Sequence, residues 1–325
     1  MEFIQPFSDS KPNRHLQGGK GFNLVKLFRH NFNVPNGFII TTAAYKTFIN
    51  NSKYKTELQA LFSKQLTPKN VLLLSEKIQS YIMDSQIPNE IVKEIKRIHK
   101  RFINKRSRDI RFSVRSSATI EDCETFSFAG QADTFLNKKT LDEILISVKK
   151  CWRSLFSTRA LLYMTQVKKD RQELGLDAIH MAVLVQKMVD AQISGVLFTA
   201  NVLNNDTDQI LINSTWGLGE ALVSNRIIPD TIIVNKNNQK IVKIIIGKKE
   251  KKTIPDYKNS TCKLIKTSRD SQKQCCLSED QIEKLRKKGT KIEDLYNCPQ
   301  DIEWAIKDNE IFILQTRPIT TIKNN

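Results

Sequence analysis

Glycine is scarce in this 325-residue chain, with eleven residues, about half the usual share of roughly 7%. Scarcity makes its placement informative. Seven of the eleven fall at four places: Gly18, Gly19 and Gly21; Gly37; Gly130; Gly217 and Gly219. A chain that otherwise avoids glycine keeps it where backbone turns sharply or approaches a ligand, so these places are candidate sites. Histidine is scarcer still: His15, His30, His99 and His180 are scattered, and the six cysteines (Cys123, Cys151, Cys262, Cys275, Cys276, Cys298) include no CxxC pair. That argues against a zinc site and for free thiols in a reducing, cytoplasmic setting. No apolar run approaches about 18 residues, which excludes a membrane-spanning helix. The opening MEFIQPFSDSKPNRH has a Glu at position 2 and no apolar core, so it does not read as a secretory signal. Acidic residues are also in deficit: 34 against 52 Lys and Arg, a net charge of +18. Such a surface suggests a polyanionic partner: nucleic acid, membrane or a phosphate-rich ligand.

What is present reads as an ordinary globular chain, 40% hydrophobic and 26% charged, long enough for roughly two domains at about 150 residues each. The first hundred residues read mainly as helix. Stretches at 21–30, at 67–83 and from Pro88 onward are expected helices, the last from Ile91, Ile95, Ile98 and Phe102 along one face. The opposite face of that last helix, through 93–108, is a basic stripe with no interleaved aromatic and no reader motif, which argues for a solvated face over nucleic-acid binding. RFSVRSS (111–117) alternates as a strand with one buried face, and a long amphipathic helix runs from Leu141 to Phe156. From residue 181 strands are expected at 181–189, 193–199, 209–216, 231–235 and 240–246. An excursion loop is expected over 247–277, then a helix opened by the capping box Ser278–Gln281, and two final strands at 301–306 and 311–317. Helices first and strands later predict α+β lobes, not an alternating parallel sheet.

Five constellations can carry chemistry. GGKG (18–21) before a helix offers backbone amides and Lys20 to an anion. In VRSSATIEDCETFSFAGQADTF, Arg115 at the C-terminal end of its strand can grip phosphate, Ser116, Ser117 and Thr119 add hydroxyl donors, and Gly130 and Thr134 can form a flap. Gln186 interrupts the apolar strand VLVQKMV, where a buried amide needs a partner. WGLGE (216–220) reads as a tight strand-to-helix turn. The fifth is the terminal hairpin, which admits two registers. A two-residue loop at Asp308–Asn309 pairs Trp304 with Ile313 and Glu303 with Leu314. A three-residue loop pairs Glu303 with Gln315, Asp301 with Arg317 and Trp304 with Leu314, and it gathers Ile302, Trp304, Phe312 and Leu314 on one face. Burial favours the second. A carboxylate such as Glu303 beside an arginine suits Mg²⁺ with nucleotide phosphates.

Taken in order, GGKGFNLVKL…VPNGFIIT, VRSSATIEDCETFSFAGQADTFLN, CWRSLFSTRA, AVLVQKMV, SGVLFTAN, WGLGEALVS…PD and DIEWAI…LQTRPIT resemble the N-terminal ATP-binding domain of the phosphoenolpyruvate synthase and pyruvate, phosphate dikinase family, which includes rifampicin phosphotransferases. The resemblance spans about residues 12 to 320. It implies an ATP-grasp fold, two lobes clasping ATP and Mg²⁺, here an N-terminal lobe at 1–188 and a C-terminal lobe at 189–325. It implies that Lys20, Arg115, Gly130, Thr134, Gln186, Glu303, Gln315 and Arg317 contact ATP. Lys20, Arg115 and Arg317 would be the catalytic cations and Glu303 the metal ligand, and residues near 187–189 would hold adenine. Full-length relatives continue into a domain with a phosphorylatable histidine, and none of the four histidines here sits in such a motif.

The expectation is therefore a stand-alone ATP-dependent phosphotransferase module that phosphorylates a histidine on a separate partner chain. In the family, that histidine passes phosphate to pyruvate or another small acceptor, leaving AMP and inorganic phosphate. Two other readings stay open: a non-catalytic or regulatory nucleotide-binding protein, and nucleic-acid binding through the 93–108 stripe.

Overall fold

In the sequence up to Arg115, Phe112 and Val114 alternate with polar residues, and the structure shows what that alternation builds. The computed structural model describes residues 2–62, 67, 70–103, 109–119, 133–162, 180–320 and 322. The chain divides into two units, one of residues 1–25 and 36–188, the other of 26–35 and 189–325.

The first unit holds β1 (Ile4–Pro6), the start of α1 (Arg14–Arg29), β2 (Gly37–Ile40), α2 (Thr42–Asn50), α3 (Lys55–Phe62), α4 (Val71–Asp84), α5 (Asn89–Phe102), β3 (Phe112–Ala118), β4 (Thr134–Lys138), α6 (Leu141–Ser154) and β5 (Met181–Lys187). Its five strands form one sheet in the order β1-β2-β5-β3-β4, antiparallel at every pairing. One face of this sheet, with Phe38, Ile40, Phe112, Val114, Val183 and Val185, joins the core supplied by the helices, including Phe48, Ile78, Ile95 and Trp152. Helix α5 follows Pro88 as expected and buries Ile91, Ile95 and Ile98, while Lys93, Lys96, Arg97, Lys100 and Arg101 of the basic stripe are exposed. Residues 104–108 of that stripe lie outside the described residues. Helix α6 starts at a capping box, Thr140 with Glu143, that satisfies two otherwise orphaned amides.

The second unit holds β6 (Ile193–Phe198), β7 (Gln209–Trp216), α7 (Glu220–Val223), β8 (Asp230–Asn235), β9 (Ile241–Ile245), β10 (Lys251–Asp256), β11 (Thr261–Lys266), α8 (Arg269–Lys273), α9 (Glu279–Tyr296), β12 (Gln300–Lys307) and β13 (Glu310–Pro318). Six strands form an antiparallel sheet in the order β13-β12-β6-β7-β8-β9. Residues 26–35 belong here: Lys26 Nζ donates to Leu295 O (3.2 Å), and Ile313 N–H donates to Asn33 O (2.9 Å). Helix α9 opens at the expected capping box, with Gln281 N–H on Ser278 Oγ (3.3 Å) and Ser278 N–H on Gln281 Oε1 (3.1 Å). It buries Ile282, Leu285 and Ile292. Both large sheets are antiparallel and helices follow in blocks, so the α+β expectation holds.

The expected excursion loop at 247–277 is corrected. It contains the hairpin β10–β11 and the short helix α8. What pins it is a completely buried ion pair, Lys249 with Asp230, in which Asp230 also accepts Gly247 N–H (2.9 Å) and Cys276 N–H (2.8 Å). From there β10 reaches the glycine turn after β7: Leu218 N–H donates to Thr253 O (2.9 Å). Gly217 has φ 76°, and a Cβ there would lie 2.3 Å from Thr253 O, so both its handedness and this close approach require glycine. Among the described residues no helix is long and apolar enough to cross a membrane. Cys151, Cys262, Cys275, Cys276 and Cys298 are free thiols.

Candidate functional site

In the first unit, antiparallel register decides which side chains share a face. Ser113 lies opposite Gln186, and Arg115 lies opposite Leu184 on one side and Thr134 on the other. Directly opposed residues stand on the same face, and every second residue of a strand returns to it. Gln186, Arg115, Thr134 and Ser117 therefore share the face turned away from the helical core.

Helix α1 is fastened to that same face. Gly21 N–H donates to Ser117 Oγ (3.1 Å), and Ser117 Oγ–H donates to Gln17 O (2.8 Å). The fastening runs through Gly18, the one non-helical residue inside α1 (φ 68°, ψ −178°), where a Cβ would come within 2.1 Å of Ser117 O. Helical geometry resumes after Gly18, so Lys20 sits in the first turn of the resumed helix. Arg115, Thr134 and Gln186 thus share one face of the sheet, and Lys20 is carried by the helix fastened to that face.

Several sequence expectations change here. Gly18 precedes the resumed helix as expected, but Gly19 and Gly21 lie inside it, and the Gly21 amide is used on Ser117. Arg115 sits mid-strand and not at the strand's end. It is only 8% exposed, because β3 is an interior strand buried along its whole length. The three hydroxyls expected as phosphate donors hold backbone instead: Ser116 Oγ donates to Asp133 O (3.4 Å), Ser117 to Gln17 O, and Thr119 to His180 O (3.3 Å). Gln186 is the buried amide the strand pattern suggested, 2% exposed, because β5 lies between β2 and β3. Burial pushes the Asp133 carboxyl, next to Thr134, above its ordinary value, with Arg153 and Lys150 pulling the other way. Gly130 lies outside the described residues.

In the second unit the terminal hairpin takes neither expected register along its whole length. Asp308 and Asn309 both have positive φ (51° and 63°), a two-residue turn that sets Lys307 against Glu310 and Trp304 against Ile313. Beyond Trp304 the register shifts by one, and Glu303 lies opposite Gln315, Ile302 opposite Thr316, Asp301 opposite Arg317. Leu314 is the inserted residue. A bulge thus satisfies the tight turn and the polar pairing together. The buried apolar residues of β13 are Ile311, opposite Ile306, and Ile313, opposite Trp304, while Phe312 and Leu314 are half-buried, contrary to expectation.

Glu303, Gln315, Asp301 and Arg317 consequently share the face of this sheet away from α9. Arg317 Nε and Nη2 both reach Asp301 Oδ2 (2.8 and 2.7 Å). The row through Glu303 continues across Val196 to Asn213 and Thr231, whose hydroxyl donates to Asn213 Oδ1 (3.0 Å). Asn213 and Thr231 were not singled out from the sequence. Only the pairing of three further strands brings them into line with Glu303. A carboxylate facing a side-chain amide oxygen, with a second carboxylate two residues away, is a hard-oxygen set that fits Mg²⁺.

The matching family model is that of the pyruvate phosphate dikinase AMP/ATP-binding domain, over residues 14–325. The chain belongs to that family. Its members among known proteins include the phosphoenolpyruvate synthase of Pyrococcus furiosus, 36% identical over 99% of this chain and 44% of that protein. The probable phosphoenolpyruvate synthase of Methanocaldococcus jannaschii is 36% identical over 99% of this chain and 27% of its own length. The rifampicin phosphotransferase of Bacillus cereus is 36% identical over 98% of this chain and 36% of that protein. The chain thus spans well under half the length of the relatives it matches. Like the family, it is an ATP-binding domain of the kind found in phosphotransferases.

Proposed function

We propose that residues 1–325 bind MgATP and pass a phosphoryl group from it to a histidine outside these residues, carried by a partner chain. The observation that carries the reading is the sharing of faces: Arg115, Thr134 and Gln186 on one face of the first sheet with Lys20 on the helix fastened to that face, and Glu303, Gln315 and Arg317 on one face of the six-stranded sheet. Family membership supports it, as do relatives named phosphoenolpyruvate synthase and rifampicin phosphotransferase.

In this reading Gln186 and the backbone near 187–189 receive adenine. Thr134, with Gly130, covers the phosphate chain. Lys20, Arg115 and Arg317 offset the charge that develops as the phosphoryl group moves, and catalysis is mainly positioning and electrostatic stabilisation. Burial of Arg115 in an interior strand suits that role, because a fixed cation needs no reorganisation during the reaction. Glu303 and Gln315 would hold Mg²⁺, which when bound neutralises phosphate charge. For AMP and inorganic phosphate to remain, the histidine takes the β- and γ-phosphoryl groups together as the bond to the α-phosphate breaks, water then releases the γ-phosphate, and the phosphohistidine left serves pyruvate or another small acceptor.

The test mixes the full chain with ATP, Mg²⁺ and a separately expressed histidine domain from a relative, and follows nucleotides by chromatography. AMP release with a phosphohistidine on the added domain is expected. Arg115→Ala should remove about 3–4 kcal/mol of transition-state stabilisation, a loss of about a hundredfold or more. Wild-type turnover in that variant, or ADP as the only product, contradicts the reading.

A further inference from the structure

About half of the positive excess is local. Residues 236–266 hold ten lysines against two acids, a net of +8 within a chain of +18. None of these lysines belongs to the nucleotide reading above. Lys249 is buried on Asp230 and Lys236 pairs with Glu293, but Lys240, Lys243, Lys248, Lys251 and Lys266 are exposed around β9 and the β10–β11 hairpin.

Strand β9 is the edge of the six-stranded sheet and, among the described residues, pairs with β8 only. The buried apolar row of this sheet runs Ile302, Leu197, Ile212, Ile232 and ends on Ile244. The first four are at most 1% exposed, whereas Ile244 is 43% exposed. The apolar stripe therefore runs off the edge of the sheet. Val242, Ile245 and Ile246 beside it are 42–55% exposed. A bulge at Val242 interrupts pairing at one end, but residues 243–245 keep a regular ladder with Thr231–Ile233. An open edge bearing aliphatic side chains is a template for a further strand.

We propose that the free edge of β9 is a docking strand for an extended acidic segment of a partner protein, which adds to the sheet with apolar residues against the Ile244 row and acidic residues against Lys243 and its lysine surround. Charge selects this occupant. A second copy of the chain would bring like-charged lysine fields together, and like charges across a strand pair destabilise it. A nucleic acid would use the lysines but leave the aliphatic edge without a role, and the strand presents no aromatic for bases to stack on.

The test is hydrogen–deuterium exchange on the full chain, with a short synthetic peptide of alternating valine and glutamate as the probe. Strand addition should slow exchange of the amides at 241–246 by about tenfold or more. The protection should weaken as salt is raised, because surface attraction is screened. Ile244→Asp, a change at an exposed position, should abolish it without altering exchange elsewhere. Three results overturn the proposal: no protection of β9 by the peptide, equal protection in Ile244→Asp, or protection that rises with chain concentration without peptide, which would mean pairing of two copies. A single-stranded oligonucleotide that displaces the peptide and protects the same amides overturns it as well.

Discussion

Ser117 shows how much one hydroxyl can organise. Its oxygen accepts the Gly21 amide and its proton goes to Gln17 O, so a single buried side chain joins the helix of Lys20 to the strand of Arg115. Ser117→Ala leaves two buried backbone groups unsatisfied, which costs about 1–3 kcal/mol for each. We expect a lower unfolding midpoint in urea together with weaker ATP binding, while Ser117→Thr, which keeps the hydroxyl, retains part of both. If ATP affinity is unchanged while stability falls, Ser117 has no part in the site. The residue types of the candidate site were legible in the sequence, because Lys20, Arg115, Gln186 and Glu303 stand in recognisable motifs. Their surroundings were not. Whether Arg115 lies mid-strand and buried depends on which strands flank β3, and β5, its neighbour on one side, comes from a stretch more than sixty residues later.

At the scale of elements, local signals carried far. The capping box at Ser278 and Gln281 fixed the start of α9, and Pro88 with its apolar spacing fixed α5. The terminal hairpin was legible as two competing registers, and the bulge at Leu314 reconciles them, since a tight turn and a polar face each impose a pairing that one unbroken ladder cannot provide. The β10–β11 hairpin was missed because lysines occupy most of its outward positions, and its anchor is a lysine that sequence composition assigns to the surface. Breaking that anchor should be expensive. Asp230→Asn or Lys249→Met leaves an uncompensated buried charge or a set of unmet hydrogen bonds, with an expected loss of about 3–5 kcal/mol in denaturant unfolding. Replacing both residues together with apolar ones should recover much of the loss. Single variants as stable as the wild type would remove the pair from its anchoring role.

For the whole molecule, the +18 charge separates into parts with different meanings. Three cations belong to the proposed nucleotide site, a stripe on α5 is solvated, and a +8 stretch surrounds the β9 edge. The response to acid is expected from His99, which burial holds below the ordinary imidazole value of about 6.5 while its hydrogen bond to Lys139 O (3.2 Å) opposes the shift. As pH falls through about 6.5 the unfolded chain takes up a proton that the folded chain refuses, so stability declines from there down to the lowered folded value and then levels off. His99→Gln should flatten that part of the profile of thermal midpoint against pH, and an unchanged slope would assign it to other groups. The central claim, that this chain binds MgATP, is tested most directly by calorimetric titration of the full chain with ATP, with and without Mg²⁺. The account predicts one-site binding strengthened by Mg²⁺, loss of binding in Arg115→Ala, and loss of the Mg²⁺ dependence in Glu303→Gln. Absence of binding, or binding that neither variant alters, would contradict it.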